Sequence, residues 1–149
     1  MKKNVKQRLL SMPIAFLLIA ILAIPAHAEQ KIVFSDYEVH YILLPTTFLK
    51  AEIADKYNLR RSKDRALVNV SVLNLEGKPV QAEVRGSSQN LLGQRQNLTF
   101  DEVIEGEAIY YLALLRYADE EFQRVSLNVV LPNGELAEIK FQQKMYWDR

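Results

Sequence analysis

Val125-Ser126-Leu127-Asn128-Val129-Val130-Leu131-Pro132-Asn133-Gly134-Glu135-Leu136-Ala137-Glu138-Ile139-Lys140-Phe141 decides the fold class of this chain. Val125, Leu127, Val129 and Leu131 fall on one face of an extended segment, because strand side chains alternate with period two. Pro132-Asn133-Gly134-Glu135 then turns the chain, and Ile139, Phe141 and Met145 share one face on the way back. An Asn-Gly pair between two alternating runs is a strong short-range hairpin signal. The stretch predicts a β-hairpin with one buried face.

The same rhythm extends towards the N-terminus. Ala66 to Leu75 alternates, Glu76-Gly77-Lys78-Pro79 reads as a turn, and Val80, Ala82 and Val84 continue the pattern, which predicts a second hairpin. Lys31 to Leu44 reads as one strand that Pro45 ends. Tyr37, Val39, Tyr41 and Leu43 lie on one face; Glu38, His40, Ile42 and Leu44 lie on the other. Ala108 to Tyr117 is rich in Ala and Leu, but Ile109-Tyr110-Tyr111 and the short length favour a strand buried on both faces. Gly86 to Gln96, full of Ser, Gln and Asn, reads as a loop or bulged connection. Leu98, Phe100 and Val103 form a short strand that stops near Gly106. Helical character is confined to Phe48–Tyr57, with Thr47 as N-cap and Asn58 closing the C-terminus. About seven strands and one short helix predict an immunoglobulin-like antiparallel β-sandwich. The Cys-Trp-Cys pattern of antibody domains is absent.

The first 28 residues have a different character. Lys2, Lys3, Lys6 and Arg8 precede an apolar run from Leu9 to Ile24, and Pro25 leads into Ala26-His27-Ala28. That order is the pattern of a secretory signal peptide cleaved after Ala28. The alternative is an uncleaved anchor, but the 16-residue run falls short of the ~20 residues that span a bilayer. The expected organisation is a signal peptide over residues 1–28 and a single domain over residues 29–149, located in the periplasm.

Removing the signal alters the chemistry. It holds four of the 19 basic residues and none of the 18 acidic ones, so the rest carries 15 against 18 and a charge of −3. Nucleic-acid binding, which shows as a clearly basic domain, is not expected. With no cysteine, disulfides, thiol nucleophiles and thiolate metal sites are excluded. His40 is the one histidine left after the signal, which also weakens a serine–histidine triad.

Several segments together look familiar: Tyr37-Glu38-Val39-His40-Tyr41, Thr47-Phe48-Leu49, Arg61-Ser62, Asn90-Leu91-Leu92-Gly93-Gln94, Glu105-Gly106-Glu107-Ala108-Ile109-Tyr110-Tyr111 and Phe141-Gln142-Gln143. The chain resembles a family of small exported proteobacterial proteins known only as a domain of unknown function, DUF4426. It departs from the pattern at Leu44-Pro45-Thr46, where a more polar run is expected. The resemblance implies an immunoglobulin-like sandwich in the periplasm. It brings no catalytic residues and no cofactor.

Three constellations carry candidate chemistry. His40 and Glu38 share a strand face but lack the ligand count a metal needs, so no metal is expected. Arg60, Arg61, Lys63 and Arg65 bracket Ser62 and Asp64, and could grip a phosphate, a lipid head group or an acidic polymer. The bland alternative is a solvated turn paired with Asp101, Glu102, Glu105 and Glu107. Asn90, Leu91, Leu92 and Gln94 form either a binding tip or a cap in which both leucines close one end of the sandwich. Tyr37, Tyr41, Tyr57, Tyr110 and Tyr111 could line a ligand groove, though such residues are more often core. The leading expectation is a non-enzymatic domain that binds a protein or an envelope component. The alternatives are a hydrolase using a carboxylate pair among Glu38, Asp101, Glu105 and Glu107, and a small-ligand carrier anchored by Arg61 beside a closed apolar pocket.

Overall fold

A computed structural model describes residues 30–148; the expected signal peptide and its cleavage site lie outside them. Nine strands and one α-helix follow in chain order: β1 Gln30–Phe34, β2 Tyr37–Pro45, α1 Ala51–Lys56, β3 Arg65–Asn74, β4 Glu83–Asn90, β5 Arg95–Leu98, β6 Asp101–Glu105, β7 Ala108–Arg116, β8 Glu121–Val130 and β9 Leu136–Met145. They form two antiparallel sheets, β1-β2-β3-β7-β6 and β5-β4-β8-β9. With β1 set aside, β2-β3-β7-β6 repeats the A-B-E-D order of immunoglobulin sandwiches, and β4-β8-β9 repeats C-F-G. The expected β-sandwich stands, with more strands than the seven read from sequence.

The core lies between the sheets. Val39, Tyr41 and Leu43 of β2, Val68, Val70 and Val72 of β3, and Tyr111, Ala113 and Leu115 of β7 meet Val125, Leu127 and Val129 of β8 and Ile139 of β9. The predicted hairpin is β8 and β9, in register from Glu121↔Met145 to Val130↔Leu136. Its turn closes with Gly134 in the left-handed region, at φ 85°. At Gly86 on β4 the sheet needs a residue without Cβ. An added Cβ would lie 2.9 Å from both the Leu127 side chain and the Ser126 carbonyl oxygen. Gly86→Ala is expected to lower stability by about 1–3 kcal/mol through overpacking, read as a lower urea midpoint at unchanged slope.

Four strand readings need correction. Lys31–Leu44 is two strands, because Ser35 and Asp36 turn the chain and Ser35 adopts φ 48°. The segment after Gly77 does turn, and the Val80 N–H bonds to the Val72 carbonyl. It then leaves for the other sheet, where β4 pairs with β5 and β8 instead of β3. Gly86–Gln96 is not a loop, since most of it belongs to β4 and β5. The strand read through Leu98, Phe100 and Val103 is broken, because the chain changes sheets between β5 and β6.

The outer face of the five-stranded sheet is unusually apolar. Leu44, Leu67 and Leu114 occupy one row of the register, with Ile42, Asn69 and Leu112 in the next. Antiparallel sheets often leave such a face wet; here the segment from Thr46 to Leu59 lies over it, which is why β7 reads as buried on both sides. The helix is shorter than predicted, and Lys50 is its N-cap, with no side-chain cap bond. Thr47 therefore does not cap it. Thr46 pins the segment by donating its hydroxyl to the Ser62 and Arg65 carbonyls. Asn58, at φ 52°, follows the C-cap as expected. At the far side Lys56 and Tyr57 both donate to the Glu105 carboxylate. The Lys56 and Tyr57 bonds hold Glu105 below its ordinary pKa of 4.5. A lowered carboxylate contributes stability that is present above its unfolded pKa and lost as pH falls through the folded one. Amide protection in α1 is therefore expected to fall as pH drops below about 4, while β3 stays protected; equal loss in both elements would contradict this clasp.

Candidate functional site

Two of the sequence candidates meet at one end of the sandwich. Antiparallel alternation brings the start of β3, β5 and β8 and the finish of β4, β7 and β9 to the same end. Arg65 is opposite Arg116, Gln89 opposite Arg95, Asn90 opposite Gln123, and Glu121 opposite Met145. The Gln96 side chain links the two sheets here, bonding both the N–H and the carbonyl of Arg116. The basic segment is tied in by the Tyr117 N–H, which donates to the Asp64 carbonyl at 3.0 Å. Trp147 donates its indole N–H to the Tyr117 carbonyl, and the Lys63 ammonium sits 4.5 Å from the Trp147 ring centroid. Between them opens a cleft of about 410 Å³, lined among others by Asp64, Arg95, Arg116, Glu121 and Trp147.

The cleft floor is polar and saturated. Ser88 donates to Gln123 at 2.5 Å, and the Gln123 amide donates to Glu121 at 2.6 Å. Glu121 also accepts from Asn90 and from the Ala118 N–H. Asn90 uses its oxygen for the Leu92 and Gln94 N–H groups and its nitrogen for Gln94 and Glu121. Ser88, Asn90 and Gln123 are buried, and a buried polar group is tolerated when its bonds are made. Asn90 and Gln94, picked from sequence as binding candidates, thus have a constructive role: they fix the β4–β5 turn.

That turn presents Leu91 and Leu92 to solvent, at 55% and 84% exposure. The alternative in which these leucines cap the sandwich is overturned. Saturation of Asn90 and the left-handed Gly93, at φ 82°, hold the tip outward. The β4–β8 ladder ends at Asn90↔Gln123 just below the tip, and the next residue of β8, Phe122, pairs with Lys144. Lys144 lies over the rings of Phe122 and the exposed Tyr146. Behind this apolar rim runs a basic and amide row on the outer face of the four-stranded sheet: Arg95, Gln89, Arg124 and Gln142 in register. Lys140 follows in the next row, opposite Ser126.

The acids at this end are already engaged. Asp64 accepts from Ser62 and lies 3.6 Å from Arg116; the Ser62 bond leads in holding its pKa down. Asp119 accepts from the Trp147 N–H, Glu121 is in the floor, and Glu120 lies 3.6 Å from Lys144. The anticipated pairing of Arg60–Arg65 with the 101–107 acids does not occur. Glu105 holds Lys56 and Tyr57, and Glu102 accepts from Gln81 and Tyr111. Arg61 is exposed and donates to the Thr47 carbonyl. Arg61 lines neither the cleft at this end nor the apolar pocket under α1.

The remaining candidates lie elsewhere. His40 and Glu38 share the outer face of β2, 3.1 Å apart, with Lys31 also on Glu38. The Lys31 and His40 bonds lower the Glu38 pKa. Among the described residues no three His, Asp or Glu side chains gather to hold a metal. Asp101 and Glu105 share a face of β6 but stand four residues apart, about 13 Å along a strand. They also line different clefts, so these two carboxylates are not assembled as a pair. Tyr41 and Tyr111 are core, whereas Tyr57 and Tyr110 line a pocket under α1. Sequence reasoning missed Trp147, Arg95, Arg116, Arg124, Phe122 and Tyr146, which come together only through strand ends distant in the chain.

The profile of the family described as Domain of unknown function (DUF4426) matches residues 31–148. A DUF4426 family protein from Pseudomonas aeruginosa PAO1 is similar in structure, with a TM-score of 0.73 and 32% identity, covering 81% of this chain and 97% of that one. A copper-bound variant of FetP from uropathogenic Escherichia coli strain F11 gives 0.59 at 13% identity, covering 80% and 96%. FetP from the same strain, as isolated after expression in the E. coli periplasm, gives 0.57 at 11% identity, covering 82% and 96%. The FetP likenesses concern the fold alone. No curated protein matches the chain. Among the described residues no helix is long and apolar enough to cross a membrane.

Proposed function

This chain belongs to the DUF4426 family of unknown function, and on that premise we propose that it is a non-enzymatic periplasmic domain, freed by cleavage after Ala28, that binds an envelope component: the anionic lipid surface. One observation carries the reading. Leu91 and Leu92 project from a turn at the end of the sandwich where Arg95 and Arg116 line the cleft, Lys63 lies over Trp147 and Lys144 over Phe122 and Tyr146, with Arg124 one row behind on the outer face of the four-stranded sheet. Apolar side chains inserted at the acyl boundary, with cations at head-group level, are the two terms of interfacial binding. Each cation near an anionic surface contributes about 1 kcal/mol at low ionic strength, and salt screens it. Phe122 and Tyr146 sit where aromatic rings favour the interface.

Co-sedimentation with vesicles tests this. Anionic phospholipid vesicles are expected to bring the protein down at low salt, vesicles of phosphatidylcholine alone to leave it in solution, and rising salt to release it. Equal partition onto both, or none onto either, contradicts the reading. Recovery of one stoichiometric protein from periplasm by a chain that ignores vesicles would point to a protein partner instead.

A further inference from the structure

A second site lies on a different part of the fold, and we propose that it takes a small, mainly apolar molecule carrying one hydrogen-bond donor, such as a fused-ring heteroaromatic. Between α1 and the outer face of the five-stranded sheet is a pocket of about 260 Å³. Leu44, Leu67 and Leu112 form its floor, Leu49 and Ile53 its roof, and Tyr57 with Glu105 closes one side. A dry cavity of about 150 Å³ accepts benzene, so this one has room for a bicyclic ring.

The chemistry of the floor specifies more than size. Asn69 lines the pocket amid these apolar groups, and its Oδ1 is buried with no hydrogen-bond partner. Unsatisfied buried polar atoms are rare in folded proteins, and each one asks for a cause. The other such side-chain atom among the described residues is Thr47 Oγ1, on the segment that leads into the covering helix. Both orphans therefore belong to the layer formed by the lid and its floor. The terminal torsion of Asn is broad, so the Asn69 amide swings to present its oxygen to a donor inside the pocket. A ligand N–H or O–H satisfies this acceptor, and its rings replace water against the leucines.

The lid is lightly held. Ala54 is its one buried residue within α1, Ile53 is 43% exposed, and its far side is fastened by the exposed Lys56–Tyr57–Glu105 clasp. Few buried contacts mark a segment that opens at low cost. Entry by displacement of α1 leaves both sheets in place.

Indole and indene, nearly equal in shape and differing in the N–H, provide the test by calorimetry and by the shift of the Asn69 side-chain amide in NMR spectra. Indole is expected to bind in the micromolar to millimolar range. Indene should bind at least about tenfold more weakly, since it gains no hydrogen bond at the Asn69 acceptor that indole satisfies. Asn69→Leu should remove that preference. Ile53→Trp, at an exposed lid position that does not threaten folding, should fill the pocket and abolish binding of both. Equal affinity for the two probes, no binding of either up to millimolar concentration, or binding unchanged in Ile53→Trp overturns the assignment.

Discussion

Replacing Leu91 and Leu92 together by Asp lowers affinity for anionic vesicles about 100-fold or more, and stability changes little. Burying a leucine is worth about 1.5–3 kcal/mol, and partial insertion of two corresponds to roughly 3 kcal/mol, or two orders of magnitude in the binding constant. The new carboxylates also meet a like-charged surface. Folding is spared because both side chains already face solvent, where substitutions usually stay within about 0.5 kcal/mol. Flotation assays with the two proteins side by side read the binding term; urea unfolding reads the stability term. If the double variant floats like the wild type, the leucine tip has no part in docking.

Asn90→Ala carries the largest expected stability effect, about 2–4 kcal/mol. The substitution removes both acceptor bonds that close the turn and both donor bonds to Gln94 and Glu121. Leaving buried partners unpaired costs about 1–3 kcal/mol for each group that cannot reach water, more where a charge is involved. Glu121 is affected most, since it keeps Gln123 and the Ala118 N–H but loses one oxygen's partner. The variant tests structure and function together. Its tip should lose amide protection across Leu91 to Gln94, and vesicle affinity should fall even though both leucines remain. A shift below about 0.5 kcal/mol would show that the floor network does not hold the turn.

How much of this was legible in the chain depends on where the decisive contacts lie. β8 and β9 were readable because Asn133-Gly134 forces a tight turn and the apolar residues sit on one face. β7 was readable by composition and length, and its two-sided burial follows from the segment over the outer face. The turn between β1 and β2 was missed because Ser35-Asp36 lacks the glycine that usually marks such a turn, and Ser35 itself adopts the positive φ. Most of β4, from Gly86 on, was missed for a different reason. Its inward face carries Gly86, Ser88 and Asn90, satisfied by Gln123 and Glu121 from β8. A strand that buries amides in place of valines has no hydrophobic alternation to detect.

The site divides the same way. Leu91-Leu92 and Arg60–Arg65 stood out as local runs, one apolar in a polar setting and one densely charged. That they share an end of the sandwich depends on register, through Arg65↔Arg116 and Gln89↔Arg95. The rim of Phe122, Lys144 and Tyr146 depends on β8–β9 pairing. No local pattern carries that information, because each residue alone is ordinary for a strand end.

The central claim is that this end of the sandwich, tip first, meets the lipid surface. The chain has no cysteine, so Leu92→Cys accepts a single environment-sensitive fluorophore. Leu75→Cys serves as the control, because Leu75 is 62% exposed just beyond the opposite end of β3, about 30 Å away along that strand. On anionic vesicles the label at position 92 is expected to shift to the blue and to be quenched by nitroxide lipids, while the label at position 75 reports water throughout. Quenching at position 75 with none at position 92, or the same response at both, would contradict the account.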